Sequence, residues 1–238
     1  MSKPITIVHL YAKEMNIYGD NGNVLVLQKR LKWRGIDSKV VRVGVGDTLP
    51  NEVHLVIGGG GQDAGQQAIA EDLGLKKPAL EKLAEKGVPM LMICGMYQMM
   101  GEAFITSDNL AIDGIGILDV TTRASNGRLV GNVTSQTDFG ALVGYENHSG
   151  RTRLGPRVKA LGAVPAGVGN NALDKTEGAR FNNVFGSYLH GPVLAKSPRL
   201  ADFLLRLALD VAGEVRELSP LDDSLEFQAA EIAVSRPR

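Results

Sequence analysis

The 238-residue chain lacks what several whole classes of protein require. It holds one cysteine, Cys94, so no intramolecular disulfide framework can form and no cysteine cluster can bind structural zinc or an iron–sulfur group. That thiol is either buried filler or a working group. Lysine plus arginine equals aspartate plus glutamate at 26 each, which leaves no global positive field to hold a nucleic-acid backbone or an anionic membrane. No stretch reaches the roughly 18 apolar residues of a membrane span, and Ile5–Leu10 behind Met1-Ser2-Lys3-Pro4 is too short for a signal peptide. The absences together read as a cytoplasmic protein with no nucleic-acid partner and no membrane span.

What is present alternates. Short apolar runs (Ile5–Leu10, Val40–Val43, Leu55–Ile57, Pro89–Ile93) are separated by longer amphipathic ones (Val24–Trp33, Ala64–Leu73, Pro78–Lys86), the pattern of strands crossing over through helices into a parallel sheet. This is an α/β fold, a central mostly parallel sheet flanked by helices. From about Ile105 the texture changes to Gly, Asn, Thr and Val at short intervals. Leu118–Thr122, Leu129–Thr134, Leu142–Tyr145, Val158–Ala163 and Phe181–Phe185 read as short, largely antiparallel strands. Pro198–Val211 has Leu200, Phe203, Leu204, Leu207 and Val211 at helical spacing. The domain is expected to span residues 1–213, and residues 214–238 to form a loosely held C-terminal tail.

Cys94 ends the buried run Met90-Leu91-Met92-Ile93 and is followed by Gly95 and a helix-compatible segment. A strand–nucleophile–helix turn of this kind exposes its residue in a tight elbow and stabilises a thiolate through free helix N–H groups. The N–H of Gly95 can point at a developing oxyanion. The four-glycine turn Gly58–Gly61 follows the neighbouring strand and would lie beside the elbow, where open α/β sheets place their sites. It runs on into Gln62-Asp63 with no Gly-Lys-Ser/Thr, so it is not a Walker loop, and no nucleotide or metal motif is visible. A cysteine nucleophile needs a base, and four histidines are available. His9 and His54 lie in or at the mouth of early strands with no partner motif and read as structural. His190, at an apolar strand end between glycines, and His148, in Tyr145-Glu146-Asn147-His148-Ser149-Gly150, both remain candidates, because sequence separation does not decide spatial contact.

These residues resemble a known family. Ile93-Cys94-Gly95-Met96-Tyr97-Gln98, the glycine turn, Gly144-Tyr145-Glu146-Asn147-His148 and Gly186-Ser187-Tyr188-Leu189-His190-Gly191 together resemble class I glutamine amidotransferases of the cobyric-acid-synthase type. Asn16-Ile17-Tyr18-Gly19-Asp20-Asn21-Gly22-Asn23, Gly127-Arg128-Leu129-Val130-Gly131-Asn132 and Glu146–Thr152 further resemble the glutaminase subunits of lipid II isoglutaminyl synthases. The likeness spans Ile5 to Val211 and implies the class I glutamine amidotransferase fold. It implies Cys94 as the nucleophile on L-glutamine, His190 as its base, and the N–H groups of Gly95 and of Gly59 or Gly60 as the oxyanion hole. Arg128 matches the glutamine-binding position, and Gln98 would line the same pocket.

The resemblance also implies a heterodimer. With no nucleotide site on this chain, ATP and Mg are expected on a Mur-ligase-like synthetase subunit that would receive the ammonia. Relatives that carry their synthetase on the same chain place it before the glutaminase, and here the first strand begins at Ile5. The acceptor would be the D-glutamate α-carboxylate of lipid II, met through that partner and converted to D-isoglutamine. In one respect the sequence departs from the triad-type members: the acidic residue two positions after the histidine is replaced by Pro192. The missing orienting carboxylate is expected from the partner. The opposing readings are a stand-alone cysteine hydrolase of γ-glutamyl substrates, a glutaminase serving another synthetase, and a catalytically silent binding module. Asn16–Asn23 reads as a turn in which Asp20 or Asn21 caps the first helix, or as part of the active-site rim.

Overall fold

The computed structural model describes residues 3–214 and 217–236. Its first strand, β1 (Ile5–Leu10), is buried along its whole length, as a strand covered by helices on both faces must be. It leads through a 3-10 turn at Ile17–Gly19 into α1 (Asn21–Trp33), which turns Val24, Leu27 and Leu31 inward. Next come β2 (Ser38–Val43), β3 (Leu55–Gly58), α2 (Asp63–Glu85), β4 (Met90–Ile93) and the five-residue α3 (Gly95–Met99). The two helices expected at 64–73 and 78–86 are one. Pro78 sits inside α2. A proline there leaves the carbonyl four residues earlier without its helical partner, and that residue is the exposed Gly74, whose carbonyl can turn to water.

Two late strands, β11 (Ala179–Phe181) and β12 (Val184–Ser187), return to this sheet, giving the order β11-β12-β4-β3-β1-β2. Every neighbour pair is parallel except β11 with β12. The second sheet is built from β5 (Ala103–Ile105), β6 (Ala111–Asp113), β7 (Val120–Thr137), β8 (Gly140–Leu154), β9 (Gly162–Ala166) and β10 (Thr176–Glu177). Its strands are antiparallel apart from the β5–β7 pair. The runs read as separate short strands at 118–122 and 129–134 belong to one 18-residue strand, continuous through a register shift between Ala124 and Leu129. An antiparallel bridge from Tyr145 to His190 joins the two sheets, with His190 N donating to Tyr145 O at 2.8 Å and Tyr145 N to His190 O at 3.2 Å.

The helix α4 (Pro198–Val211) has the bounds its periodicity foretold, with Pro198 in its first turn. The described part of the expected tail contains a helix with no buried residue and a few tethering contacts. Asp223 accepts hydrogen bonds from the buried Arg30, and α5 (Ser224–Ser235) lays Phe227 under the Arg199 guanidinium. The rest of that reading, at 215–216 and 237–238, lies outside the described residues. Among the described residues no helix is long and apolar enough to cross a membrane.

Candidate active site

The strand order β12-β4-β3-β1 brings four chain segments to one edge of the sheet, because parallel strands all end on the same side. His190 follows β12, Cys94 follows β4, the glycine turn follows β3, and Asp20 lies in the segment after β1.

Cys94 adopts φ 49°, ψ −106°, a strained backbone for a residue with a side chain, and is almost fully buried. Its N–H donates to the Ser187 carbonyl at 2.8 Å, tying the elbow to the end of β12. The glycines around it are demanded by space. A Cβ on Gly58 would lie 2.8 Å from both Met92 Sδ and Met96 Cγ, and one on Gly95 would lie 2.8 Å from Gly61 N. A Cβ on Gly60 would stand 2.6 Å from His190 Cε1.

His190 is fully buried, with Nδ1 3.0 Å from Asp20 Oδ1 and 3.1 Å from Oδ2. Its Nε2 has no hydrogen-bond partner among the described residues, and the Cys94 side chain lies close enough to act on the ring electrostatically. Burial opposes a charge on the ring, but the Asp20 carboxylate and the Cys94 sulfur outweigh it and push the imidazole up to about 10. The orienting carboxylate expected from a partner chain is therefore supplied here by Asp20, 170 residues away in sequence. Asp20 stands at the head of α1 without making a side-chain cap. Its other oxygen accepts the Gly60 N–H at 2.7 Å.

That contact alters the expected oxyanion hole. The Gly60 N–H is spent on Asp20, which leaves Gly59 and Gly61 as the donors of the turn; a Cβ on Gly59 would meet the Met15 carbonyl at 2.4 Å. The glycine that lines the cavity with Cys94 is Gly61. No acceptor takes the N–H of Gly61 or of Gly95 among the described residues.

The cavity in front of Cys94 has a volume of about 310 Å³. Arg128 stands exposed at its rim, donating from Nε to Asn147 Oδ1 at 2.7 Å and from Nη2 to Asn147 O at 2.8 Å. The Nη1–Nη2 edge keeps N–H groups for an anionic ligand. Gln98 lines the floor with both ends of its amide engaged: Oε1 accepts from Gln66 Nε2 at 2.8 Å, and Nε2 donates to Tyr188 OH at 3.0 Å. It braces the pocket. Tyr188 continues the network through Thr152 Oγ1 at 2.6 Å to Thr122 Oγ1 at 2.7 Å.

His148 also lines the cavity, with Nδ1 2.8 Å from the Gly150 carbonyl and its ring stacked on Tyr188 at 3.5 Å. Burial pushes it below the usual histidine range despite the Glu146 carboxylate nearby. A ring pinned in this way, with no carboxylate within ordinary hydrogen-bond distance, forms part of the wall; the imidazole that a carboxylate orients is His190. His9 is buried inside β1, and His54 Nδ1 accepts the Thr6 N–H at 2.9 Å, so both are structural. In the sequence Asp20 read as a helix cap or a rim residue, and Gly61 and Tyr18 had no individual role. The run Asn16–Asn23 was the signal available for Asp20 and Tyr18, and the four-glycine turn was the one for Gly61.

The chain is similar to known proteins along most of its length. Residues 6–198 match the CobB/CobQ-like glutamine amidotransferase domain. The chain is 38% identical over 234 residues to the lipid II isoglutaminyl synthase (glutamine-hydrolyzing) subunit GatD of Staphylococcus aureus, covering 98% of this chain and 96% of that one. It is 37% identical to the subunit of the same name from Streptococcus pneumoniae, covering 95% and 89% respectively. A crystal structure of a glutamine amidotransferase superposes with a TM-score of 0.59 at 21% identity, covering 84% of this chain and 98% of that one, a likeness of fold.

Proposed function

Because the chain belongs to the family of CobB/CobQ-like glutamine amidotransferase domains, we propose that it is the glutaminase subunit of a lipid II isoglutaminyl synthase. The observation that carries the reading is Cys94 at the wall of a cavity with the buried His190 beside it, its ring held by Asp20.

In this mechanism Cys94 Sγ attacks the side-chain amide carbon of L-glutamine. His190 already holds the thiol proton as the imidazolium of an ion pair with the sulfur and gives it to the departing nitrogen, so ammonia leaves and a γ-glutamyl thioester remains. Water, deprotonated by the same imidazole, then hydrolyses the thioester to glutamate. Asp20 holds the ring with Nε2 toward sulfur and stabilises the imidazolium of both steps. The free N–H groups of Gly95 and Gly61 stabilise the tetrahedral oxyanion, each contributing about 3 to 4 kcal/mol in comparable sites. Arg128 receives the α-carboxylate on its Nη1–Nη2 edge, and Asn147 fixes the guanidinium from behind.

The ammonia serves an ATP-dependent, Mur-ligase-like synthetase subunit in the cytoplasm. That subunit holds ATP and Mg, activates the D-glutamate α-carboxylate of lipid II and aminates it. A second reading, a stand-alone hydrolase of γ-glutamyl substrates, draws support from Asp20, since an orienting carboxylate on the same chain removes one reason for partner dependence. Glutamate release by the purified chain, alone and with the Mur-ligase-like protein of the same cell, separates them. Turnover that rises with the partner and disappears in Cys94→Ala and His190→Ala supports the subunit. Full turnover alone, unchanged by the partner, supports the independent hydrolase.

A further inference from the structure

Between the cavity rim and the base runs a chain of contacts of which the hydrolysis mechanism uses only the Arg128–Asn147 end. Asn147 accepts from Arg128 through both its side-chain and main-chain oxygens, and its Nδ2 donates to Tyr18 OH at 2.7 Å. The Tyr18 ring meets His190 edge-on, with centroids 4.9 Å apart and planes at 69°. Tyr18 is held at φ 54°, ψ 21°, inside the left-handed region where a bulky side chain is strained. It is followed by Gly19 at φ 76° and then by Asp20 itself. On the other side, Asn147 lies two residues from Tyr145, whose backbone pairs with that of His190.

We propose that Asn147 and Tyr18 form a relay that aligns His190 with Cys94 when an α-carboxylate fills the Arg128 subsite. Both are positioning residues, and the inference rests on the glutaminase reading of that subsite. Three contacts hold Tyr18 in this conformation: its hydroxyl to Asn147, its ring to His190, and its ring edge-on to Tyr145 at 6.3 Å. A guanidinium drawn toward a carboxylate pulls on the amide that holds the hydroxyl. The ring then presses on the imidazole, while Gly19, which tolerates its positive φ without cost, transmits the movement to Asp20. Filling the specificity end of the pocket thus completes the base at the reacting end, and a thiol-reactive compound without an amino-acid moiety meets a less aligned pair.

The test uses the complex of this chain with its synthetase subunit and the variants Tyr18→Phe, which removes one oxygen, and Asn147→Ala. L-Glutamine turnover should fall at least about tenfold in kcat with KM within about twofold in Tyr18→Phe, the signature of lost alignment rather than lost binding. In parallel, Cys94 is alkylated with iodoacetamide with and without L-2-aminobutyrate, which presents an α-carboxylate at the Arg128 end and leaves the thiol open. The additive should accelerate alkylation of the wild type about threefold or more, through a more reactive thiolate, and should leave both variants unaffected. Retention of kcat in both variants, a change confined to KM, or acceleration that persists in both would overturn the relay. A wild type that releases no glutamate sinks the glutaminase reading separately, and the alkylation arm still decides the relay.

Discussion

The Asp20 carboxylate stands 3.0 Å from His190 Nδ1 and 2.7 Å from the Gly60 N–H, so one side chain orients the base and pins the loop beside the nucleophile. Asp20→Asn keeps the shape but presents an amide that favours the wrong imidazole tautomer. By analogy with other triads, kcat should fall roughly 10³-fold with the fold intact by circular dichroism. The paired imidazolium contributes stability in full below the ordinary histidine value of 6.5 and loses it as pH climbs toward about 10. The stability gap between wild type and Asp20→Asn should shrink along that climb, which chemical denaturation at a series of pH values will read.

Two glycine substitutions should behave oppositely. Alanine at Gly60 would put Cβ 2.6 Å from His190 Cε1, so Gly60→Ala should abolish glutamate release by displacing the base. Gly74 is inside α2 with nothing within 4 Å of its hypothetical Cβ. Gly74→Ala should leave turnover unchanged and stabilise the protein by about 0.5 to 1 kcal/mol. Thermal melts and a glutaminase assay on both variants check the pair.

The C-terminal segment is fastened by Arg30, which is almost fully buried and pairs with Asp202 at 2.7 Å and Asp223 at 2.5 Å. Arg30→Ala strands Asp223, while Asp202 keeps Arg34 at 2.7 and 3.0 Å, and should cost about 3 kcal/mol. Asp223→Ala leaves the Asp202 pair in place, so its effect should concentrate in α5. Hydrogen exchange should show faster exchange over residues 224–235 with the central sheet unaltered.

Glu177 offers a pH signature away from the reacting atoms. It is fully buried, accepts from Ser187 Oγ and Tyr188 N, and burial pushes it up from 4.5 to about 7. The folded protein thus keeps a proton that the unfolded chain releases, and the stability linked to Glu177 falls as pH rises from about 4.5 through about 7. Glu177→Gln removes this titration while its Oε1 keeps both hydrogen bonds. Measured by denaturation, the variant should gain on the wild type across that window by roughly 3 kcal/mol, and a gap that does not change with pH would contradict the assignment.

The local chemistry of the site was legible in the sequence wherever one segment carries it. Cys94 before Gly95 at a strand end and the glycines after β3 each announce themselves within a few residues, whereas the histidines narrow only to His148 and His190. Asp20 did not, because its meeting with His190 depends on β1 and β12 ending at the same edge of one sheet, a property of strand order that no local window contains. The missing acid at Pro192 therefore pointed outward to a partner when the substitute lay inside the chain. The fold class followed from the alternation of apolar and amphipathic runs. Element ends were lost where tertiary context overrides a local breaker: at Pro78, whose freed carbonyl acceptor can face water, and at the β7 irregularity, which pairing with β8 carries across. In α5 the apolar residues Leu225, Phe227, Ile232 and Val234 remain substantially exposed, so no inward stripe marked it as a packed helix.

The account turns on Cys94 forming a covalent γ-glutamyl intermediate within this chain, and intact-mass spectrometry with the glutamine analogue 6-diazo-5-oxo-L-norleucine tests that most directly. One adduct per chain, mapped to Cys94, blocked by excess L-glutamine and strongly slowed in His190→Ala and Asp20→Asn, is the predicted result. An unmodified chain, or an adduct that forms equally fast without His190 and Asp20, would contradict it.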